Sequence, residues 1–503
     1  MQATGFGAEI RTEHKAEIAF GTDGWRALIG EDFNEGSVRA VAKATAQTFL
    51  AKAPLESASD SKAQQRRIYV GYDTRKDADR YALLAAEVMA AEGLEVVLSD
   101  RYIPTPNLCW TVSRDESALG GVQLTASHNP AGWLGFKVRM ADGGAAPADF
   151  TDLIEAKLNL LADADDLANQ TTTTKPAKGR LIFAKLSTDY LDALCQFVDR
   201  DLIRKAQIKV LVDPLYGAAR SYLADTFEQL GVEVVRLHDG ADPNFGDLHP
   251  EPIPPWIDVA AAEVRATAAQ AGFALDGDAD RLGALDEDGS FVSPHQIIAL
   301  VAQHLVENRG QTGRIIKTLS TSILVDRIGR ELGVEVTTTP IGFKWIYEEM
   351  LQGDVLLGGE ESGGIGIPIH VCERDGLLMS LLIVEMMAQT GRSLGQLVAA
   401  LEQRVGKLYY QRKDLHIKPA RMEAFRKTLP RLAPLQLAGI SVEEYLYLDG
   451  AKFLLPNDEW LLLRASGTEP LVRIYAEANS PCRVKELLAA GSQLIEDLVQ
   501  EAA

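Results

Sequence analysis

The chain is short of positive charge, of cysteine and of any long apolar run, and each shortage narrows what it can do. Lysine and arginine number 51 against 71 aspartates and glutamates, a formal net charge of −20. A surface of that sign repels polyanions, and no Lys/Arg-rich stripe interrupts it, so neither nucleic acid nor an anionic membrane is an expected partner. The four cysteines, Cys109, Cys195, Cys372 and Cys482, are scattered without a Cys-x-x-Cys. That spacing argues against a disulfide framework or a zinc site and fits a reducing compartment. No uninterrupted apolar run approaches the roughly 18 residues of a membrane span. Glu9, Arg11, Glu13, His14, Lys15 and Glu17 break up the region where a signal peptide needs its apolar stretch. A soluble cytoplasmic protein is expected. Ser127 does not stand in a Gly-x-Ser-x-Gly elbow, which weighs against its being the nucleophile of a serine hydrolase of that type.

What remains is ordinary globular material: 503 residues, 46% hydrophobic and 24% charged, long enough for several cores. Three segments share one order of elements, a β-rich run, a polar loop, an amphipathic stretch and a Gly-[Leu/Val]-Glu-Val that opens a second strand. They begin at Ile68-Tyr69-Val70-Gly71-Tyr72, Lys209-Val210-Leu211-Val212-Asp213 and Ile315-Ile316-Lys317-Thr318, and reach the tetrapeptide at Gly93, Gly231 and Gly333. Strand, helix, strand in that order is the βαβ unit of a parallel sheet, and its recurrence predicts three related α/β domains with mixed, mostly parallel sheets. The polar stretch from Asp163-Ala164-Asp165-Asp166 to Thr171-Thr172-Thr173-Thr174-Lys175-Pro176 reads as a linker. Asp286-Glu287-Asp288-Gly289 reads as a hairpin turn closing the second unit. Beyond Lys407, short strands near Trp460 and Leu471 and a helix from about Arg483 to Val499 predict an α+β domain. The expected boundaries are 1–168, 169–289, 290–406 and 407–503.

Four loops carry candidate chemistry. Thr125-Ala126-Ser127-His128-Asn129-Pro130 places a serine in a turn, since Asn-Pro biases the backbone out of helix, and an exposed hydroxyl is expected there. Asp276-Gly277-Asp278-Ala279-Asp280-Arg281 offers carboxylates at alternate positions, hard oxygen ligands that repel one another unless a divalent cation joins them. With Glu287 at the twelfth position the spacing resembles a calcium hand, but Arg281 stands where the sharp turn of such a loop needs glycine. Gly358-Gly359-Glu360-Glu361-Ser362-Gly363-Gly364 combines carboxylate and hydroxyl groups suited to vicinal sugar hydroxyls, although acidic glycine turns are also common on bare surfaces. Arg464-Ala465-Ser466-Gly467-Thr468-Glu469-Pro470, with Arg473 beyond it, forms an anion nest suited to phosphate. Arg26, Lys137, Lys317 and Lys344 are further cations dispersed along the chain.

In identity, order and approximate spacing these loops resemble the α-phosphohexomutase family, the phosphoglucomutases and phosphomannomutases, from Phe20 to Tyr475. The resemblance implies four domains around a central cleft and an isomerase that works through an enzyme phosphoserine and a hexose 1,6-bisphosphate, which serves as intermediate and activator. It casts Ser127 as phosphoryl carrier, with Asp276, Asp278 and Asp280 holding Mg²⁺ against it. Lys137, then His128 or Arg26, would handle protons at the sugar oxygen. Glu360 and Ser362, with Lys317, Lys344 and Arg281, would bind the sugar phosphate, and Arg464, Ser466, Gly467, Thr468 and Arg473 the phosphate that is not reacting. Thr125 and Ile341-Gly342-Phe343-Lys344 point to glucose phosphate first, mannose phosphate second and glucosamine phosphate last. Gly364 departs from the family, many members of which have histidine there. The expected partner is a small sugar phosphate, bound by a monomer or homodimer. A non-catalytic sugar-phosphate sensor is the rival reading; it would have no need for Ser127 and the Asp276 loop together.

Overall fold

The computed structural model describes residues 18–21, 23–53, 66–167, 179–466 and 470–501. Each of the three predicted βαβ units forms. Arg67–Tyr72 pairs in parallel with Glu95–Ser99, Lys209–Asp213 with Glu233–Arg236, and Arg314–Thr318 with Val336–Thr339. The apolar runs make central strands because both of their faces are covered, as in Ile68 and Val70, Val210 and Leu211, or Ile315 and Ile316, all fully buried.

Each central strand has a second parallel neighbour on its other side, Ala118–Leu124, Ala271–Leu275 and Val355–Gly359 respectively. Each of those neighbours turns back into an antiparallel partner: Trp133–Met140, Leu282–Asp286 and Ile365–Gly366. The serine loop, the aspartate loop and the Glu360 loop are therefore the same connection in three sheets. All three lie outside the carboxyl end of a parallel strand, where open α/β sheets place ligands.

Two sheets extend past the predicted boundaries. Arg180–Ala184 adds in parallel to Glu95–Ser99, so the first sheet recruits a strand from beyond residue 168. Phe291–Val292 pairs with the strand Leu282–Asp286 across the predicted Asp286–Gly289 turn, keeping the second sheet going past residue 289. The helix Ala148–Leu167 runs through Asp163–Asp166, which the sequence reads as linker, and Thr171–Pro176 lies outside the described residues. The C-terminal sheet is antiparallel, in the order Tyr409–His416, Leu471–Ala478, Glu459–Ala465, Ala451–Leu455, Glu444–Leu446, with the helix Pro481–Glu501 on it. Among the described residues no helix is long and apolar enough to cross a membrane.

One hydrophobic cluster runs through the first three units, joining Leu108 and Tyr190 to Phe227, Ile298 and Leu378. The fourth has its own core around Phe453, Leu461 and Ile474. It meets the third unit through a small cluster of Leu319, Trp460, Leu462 and Tyr475. Buried polar bonds reinforce that junction. Ser322 donates its hydroxyl to Glu477, Ile323 N–H donates to Glu477 at 2.9 Å, and Lys452 Nζ donates to Leu319 O at 2.8 Å.

Candidate active site

Two backbone turns shape the serine loop, with Asn129 N–H donating to Ala126 O and Trp133 N–H to Pro130 O, both at 3.0 Å. Ser127 sits at φ +52°, a left-handed conformation that side chains seldom adopt and that marks a site held by its surroundings. Arg75 does much of the holding. Its guanidinium donates to Ser127 O and Asn129 O at 2.6 Å, Pro130 O at 2.8 Å and Trp133 O at 3.1 Å, while Asp73 Oδ2 pairs with its Nε at 3.1 Å. Arg26 reaches the same loop, donating to Asn129 Oδ1 at 2.7 Å.

The expectation of an exposed serine is corrected: Ser127 is only 1% exposed. The aspartate loop covers it, and the Ser127 hydroxyl donates to Asp276 Oδ2 at 2.7 Å. His128 Nδ1 lies 3.4 Å from the same hydroxyl oxygen. Burial, then the positive charges of Arg281 and Arg26, hold that imidazole well below its ordinary pKa, so it is neutral near pH 7.

Asp276, Asp278 and Asp280 are fully buried in the hairpin loop between Ala271–Leu275 and Leu282–Asp286, and each offers a carboxylate oxygen within 4.8 Å of the others. Burial and mutual repulsion push Asp276 and Asp280 up. Asp278 goes the other way: burial is outweighed by Lys137 and by the Thr105 hydroxyl, which donates to it at 2.7 Å. Asp278 Oδ1 and both Asp280 oxygens are buried without a hydrogen bond, although Asp280 Oδ2 lies 2.7 Å from Arg374 and 3.7 Å from Lys137 and Asp280 Oδ1 lies 3.8 Å from Arg281. Orphaned hard oxygens, two of the three carboxyls resisting ionisation, fit a divalent cation of the Mg²⁺ kind. The calcium-hand alternative fails on geometry. The loop is flanked by strands, and Glu287 caps a helix instead, accepting from Gly395 N–H at 2.8 Å and from the Ser393 hydroxyl.

Lys137, fully buried on the strand after the serine loop, puts its ammonium 2.7 Å from Asp23 Oδ2, 2.9 Å from Asp278 Oδ2 and 3.7 Å from Asp280 Oδ2. Burial opposes that charge, but the three carboxylates outweigh it and raise the lysine above its usual range. Asp23 is a hub the sequence reading passed over. It also meets Arg374 at 3.0 Å and Arg139 at 3.2 Å. Its signal was a carboxylate in a glycine-flanked turn three residues before Arg26.

The Glu360 loop joins this cluster through the backbone, since Leu282 N–H donates to Gly363 O at 3.0 Å and Arg281 bridges Gly364. Burial pushes Glu360 up to about 7 against the pull of Arg374. Ser362 Oγ is buried without a partner. A Cβ on Gly364 would lie 2.3 Å from Arg374 Cδ, so the glycine is what admits this arginine between Asp280, Asp23 and Glu360. Arg374 and Arg75 carried no sequence signal beyond their charge.

The structure brings together Ser127, His128, Arg26, Lys137, the three aspartates, Arg281 and Glu360. It places other candidates elsewhere. Lys317 pairs with Asp326 and donates to Ser322 O at 3.2 Å, and Lys344 stacks 4.6 Å over Trp345. Arg464 and Arg473 face each other across neighbouring strands, with Arg473 Nε buried and unbonded. Ser466 accepts at its carbonyl from Arg426 at 2.5 Å. Gly467 and Thr468 lie outside the described residues.

Comparison with known proteins agrees along the chain. Models of the phosphoglucomutase/phosphomannomutase family match in order: alpha/beta/alpha domain I over residues 17–164, domain II over 188–289, domain III over 293–405 and the C-terminal domain over 411–491. A phosphoglucomutase/phosphomannomutase of Thermococcus kodakarensis is 30% identical over 86% of this chain and 90% of its own. A phosphoglucosamine mutase of Frankia alni is 31% identical over 92% of this chain and 94% of its own. A crystal structure from Thermus thermophilus, provisionally named a phosphomannomutase, superposes with a TM-score of 0.80 at 34% identity, covering 95% of this chain and 99% of that one. The chain belongs to the α-D-phosphohexomutase family, the isomerases that include phosphoglucomutases and phosphomannomutases.

Proposed function

We propose that this enzyme interconverts glucose 1-phosphate and glucose 6-phosphate, mannose phosphate being the second choice of substrate, and that Ser127 carries the phosphoryl group. The observation that carries the reading is the Ser127 hydroxyl, bonded to Asp276 at 2.7 Å, with the Lys137 ammonium 2.9 Å from the neighbouring Asp278. A phosphoserine brings roughly −1.5 to −2 charges, which beside the Asp276, Asp278 and Asp280 carboxylates calls for a cation. Asp276, Asp278 and Asp280 would hold Mg²⁺, which when bound neutralises phosphate charge as it develops.

The rest falls to the chain. Arg75 fixes the serine loop so that Ser127 keeps its direction through both transfers. Lys137, kept as an ammonium by Asp23 and Asp278, donates a proton to the sugar oxygen as the phosphoryl group leaves it, and neutral His128 can accept the proton of the attacking sugar hydroxyl. Glu360 and Ser362 orient sugar hydroxyls, and Arg374 beside Glu360 and Asp280 steadies the pair. Arg464, Arg473 and the 466–468 loop grip the phosphate that is not reacting, relieving two arginines that otherwise repel across the strands. The sugar bisphosphate turns end for end between transfers, and the fourth domain, which has a core of its own, closes over it to exclude water.

A coupled assay of glucose 1-phosphate conversion, with and without Mg²⁺ and a trace of glucose 1,6-bisphosphate, tests this beside the mannose and glucosamine phosphates. Faster turnover of either alternative reassigns the substrate, and no turnover of any refutes the reading. Intact mass must show a phosphate-sized increment that Ser127→Ala removes.

A further inference from the structure

Asp449 lies in the turn before the strand Ala451–Leu455 and belongs to none of the motifs above. One of its oxygens, Oδ2, accepts two hydrogen bonds from different domains. Arg464 Nε donates from the fourth domain at 3.0 Å, and Ile341 N–H donates from the third, also at 3.0 Å. Ile341 opens the Ile341–Lys344 loop at the start of the helix Phe343–Leu351. Its side chain packs on the small apolar cluster where the two domains meet. The carboxylate is 27% exposed and the arginine 18%, so the pair is shielded more than a free surface ion pair.

An arginine presents five donor hydrogens in one fixed plane, so pinning Nε sets where the others point. Arg464 needs such a pin, because its cross-strand partner is Arg473, and like charges directly opposite push apart. Arg473 has Asp414 as its partner on the other neighbouring strand. Asp449 supplies the equivalent charge to Arg464 and ties it to a backbone N–H across the domain junction.

We infer that Asp449 is a positioning residue, an interdomain clasp that orients Arg464 toward phosphate and fastens the fourth domain to the Ile341 loop while the sugar bisphosphate turns over. The inference rests on the proposed reading of Arg464 as a phosphate ligand. When the domain swings open, the bond to Ile341 breaks and the bond to Arg464 travels with the domain. Closure and phosphate grip are thereby made one event.

The test compares wild type, Asp449→Asn and Asp449→Ala for free glucose 1,6-bisphosphate released per turnover, for the added bisphosphate needed to reach full rate, and for kcat and KM with glucose 1-phosphate. Losing a charge-assisted bond is worth about tenfold in an equilibrium. Asp449→Ala is therefore expected to release the bisphosphate about tenfold more often per turnover. Asp449→Asn keeps a carbonyl acceptor for Ile341 N–H and should fall between. Melting temperature reports folding. Unchanged release in Asp449→Ala overturns the clasp; should that variant not fold, unchanged release in Asp449→Asn does the same. A wild type that turns over no hexose phosphate overturns the mutase reading and the clasp together, whereas an active wild type with unaltered variants overturns the clasp alone.

Discussion

Adding one methyl group at Gly277 isolates the apposition of the first two domains. Its backbone is not in the left-handed region, so alanine is allowed there by conformation, and the only obstacle is space. A Cβ would stand 2.3 Å from Ser127 O, where real contacts stay above 3.0 Å, and 3.5 Å from the Arg75 nitrogen that binds the same oxygen. The loops must part by about 0.7 Å or more, and a displacement near 1 Å in a catalytic constellation costs about 10²-fold in rate. The movement falls on the 2.7 Å bond from Ser127 to Asp276 and the 2.6 Å bond from Arg75 to Ser127 O. Overpacking should also lower stability by about 1–3 kcal/mol. The coupled mutase assay gives kcat, and denaturant unfolding gives the stability change. Gly240→Ala, where nothing lies within 4 Å, is the control. Activity of Gly277→Ala within about threefold of wild type would refute the claim that these loops must touch.

Glu360, raised to about 7 from 4.5 chiefly by burial, binds its proton more tightly folded than unfolded. Its contribution to stability is full below about 4.5 and is lost as pH rises through about 7, at most about 3 kcal/mol. Urea unfolding of the metal-free protein should show that decline reduced in Glu360→Gln, and parallel pH profiles for the two proteins would contradict the shift. Mg²⁺ should stabilise the metal-free enzyme, relieving Asp276 and Asp280, by about 2.7 kcal/mol at a hundred times its Kd, and so raise its melting temperature. Asp278→Asn should shrink that gain, and a melting temperature blind to millimolar Mg²⁺ would argue against the site. Gly364→Ala should lower kcat by displacing Arg374, and combined with Arg374→Ala it should add nothing further. Full additivity would show that the two residues act separately.

The reach of the sequence differed from loop to loop. The cluster of Asp276, Asp278 and Asp280 was legible because its carboxylates come from one short stretch, and alternate positions in a tight hairpin loop converge. Ser127 was legible as a turn serine but not as a buried one, because its cover comes from a loop 149 residues away. Asp23 and Arg374 lie 351 positions apart and Arg75 is 54 from Asn129, so no local pattern marks them as members of one site. Lys317 shows the converse: cast by the family resemblance as a sugar-phosphate ligand, it lies on Asp326 and Ser322 O.

The three βαβ units, the position of each loop and the family could all be read from the chain alone, because apolar periodicity, turn residues and motif spacing act over short stretches. It took packing to show that three of those loops are one repeated connection, that the first two sheets take strands from beyond residues 168 and 289, and which charge faces which. The physical reason is that an ion pair or a buried hydroxyl depends on separation in space. Here Lys137 meets Asp278, and Asp23 meets Arg374, only once separate sheets have packed, whereas Asp23 and Lys137 are brought together by one strand pair.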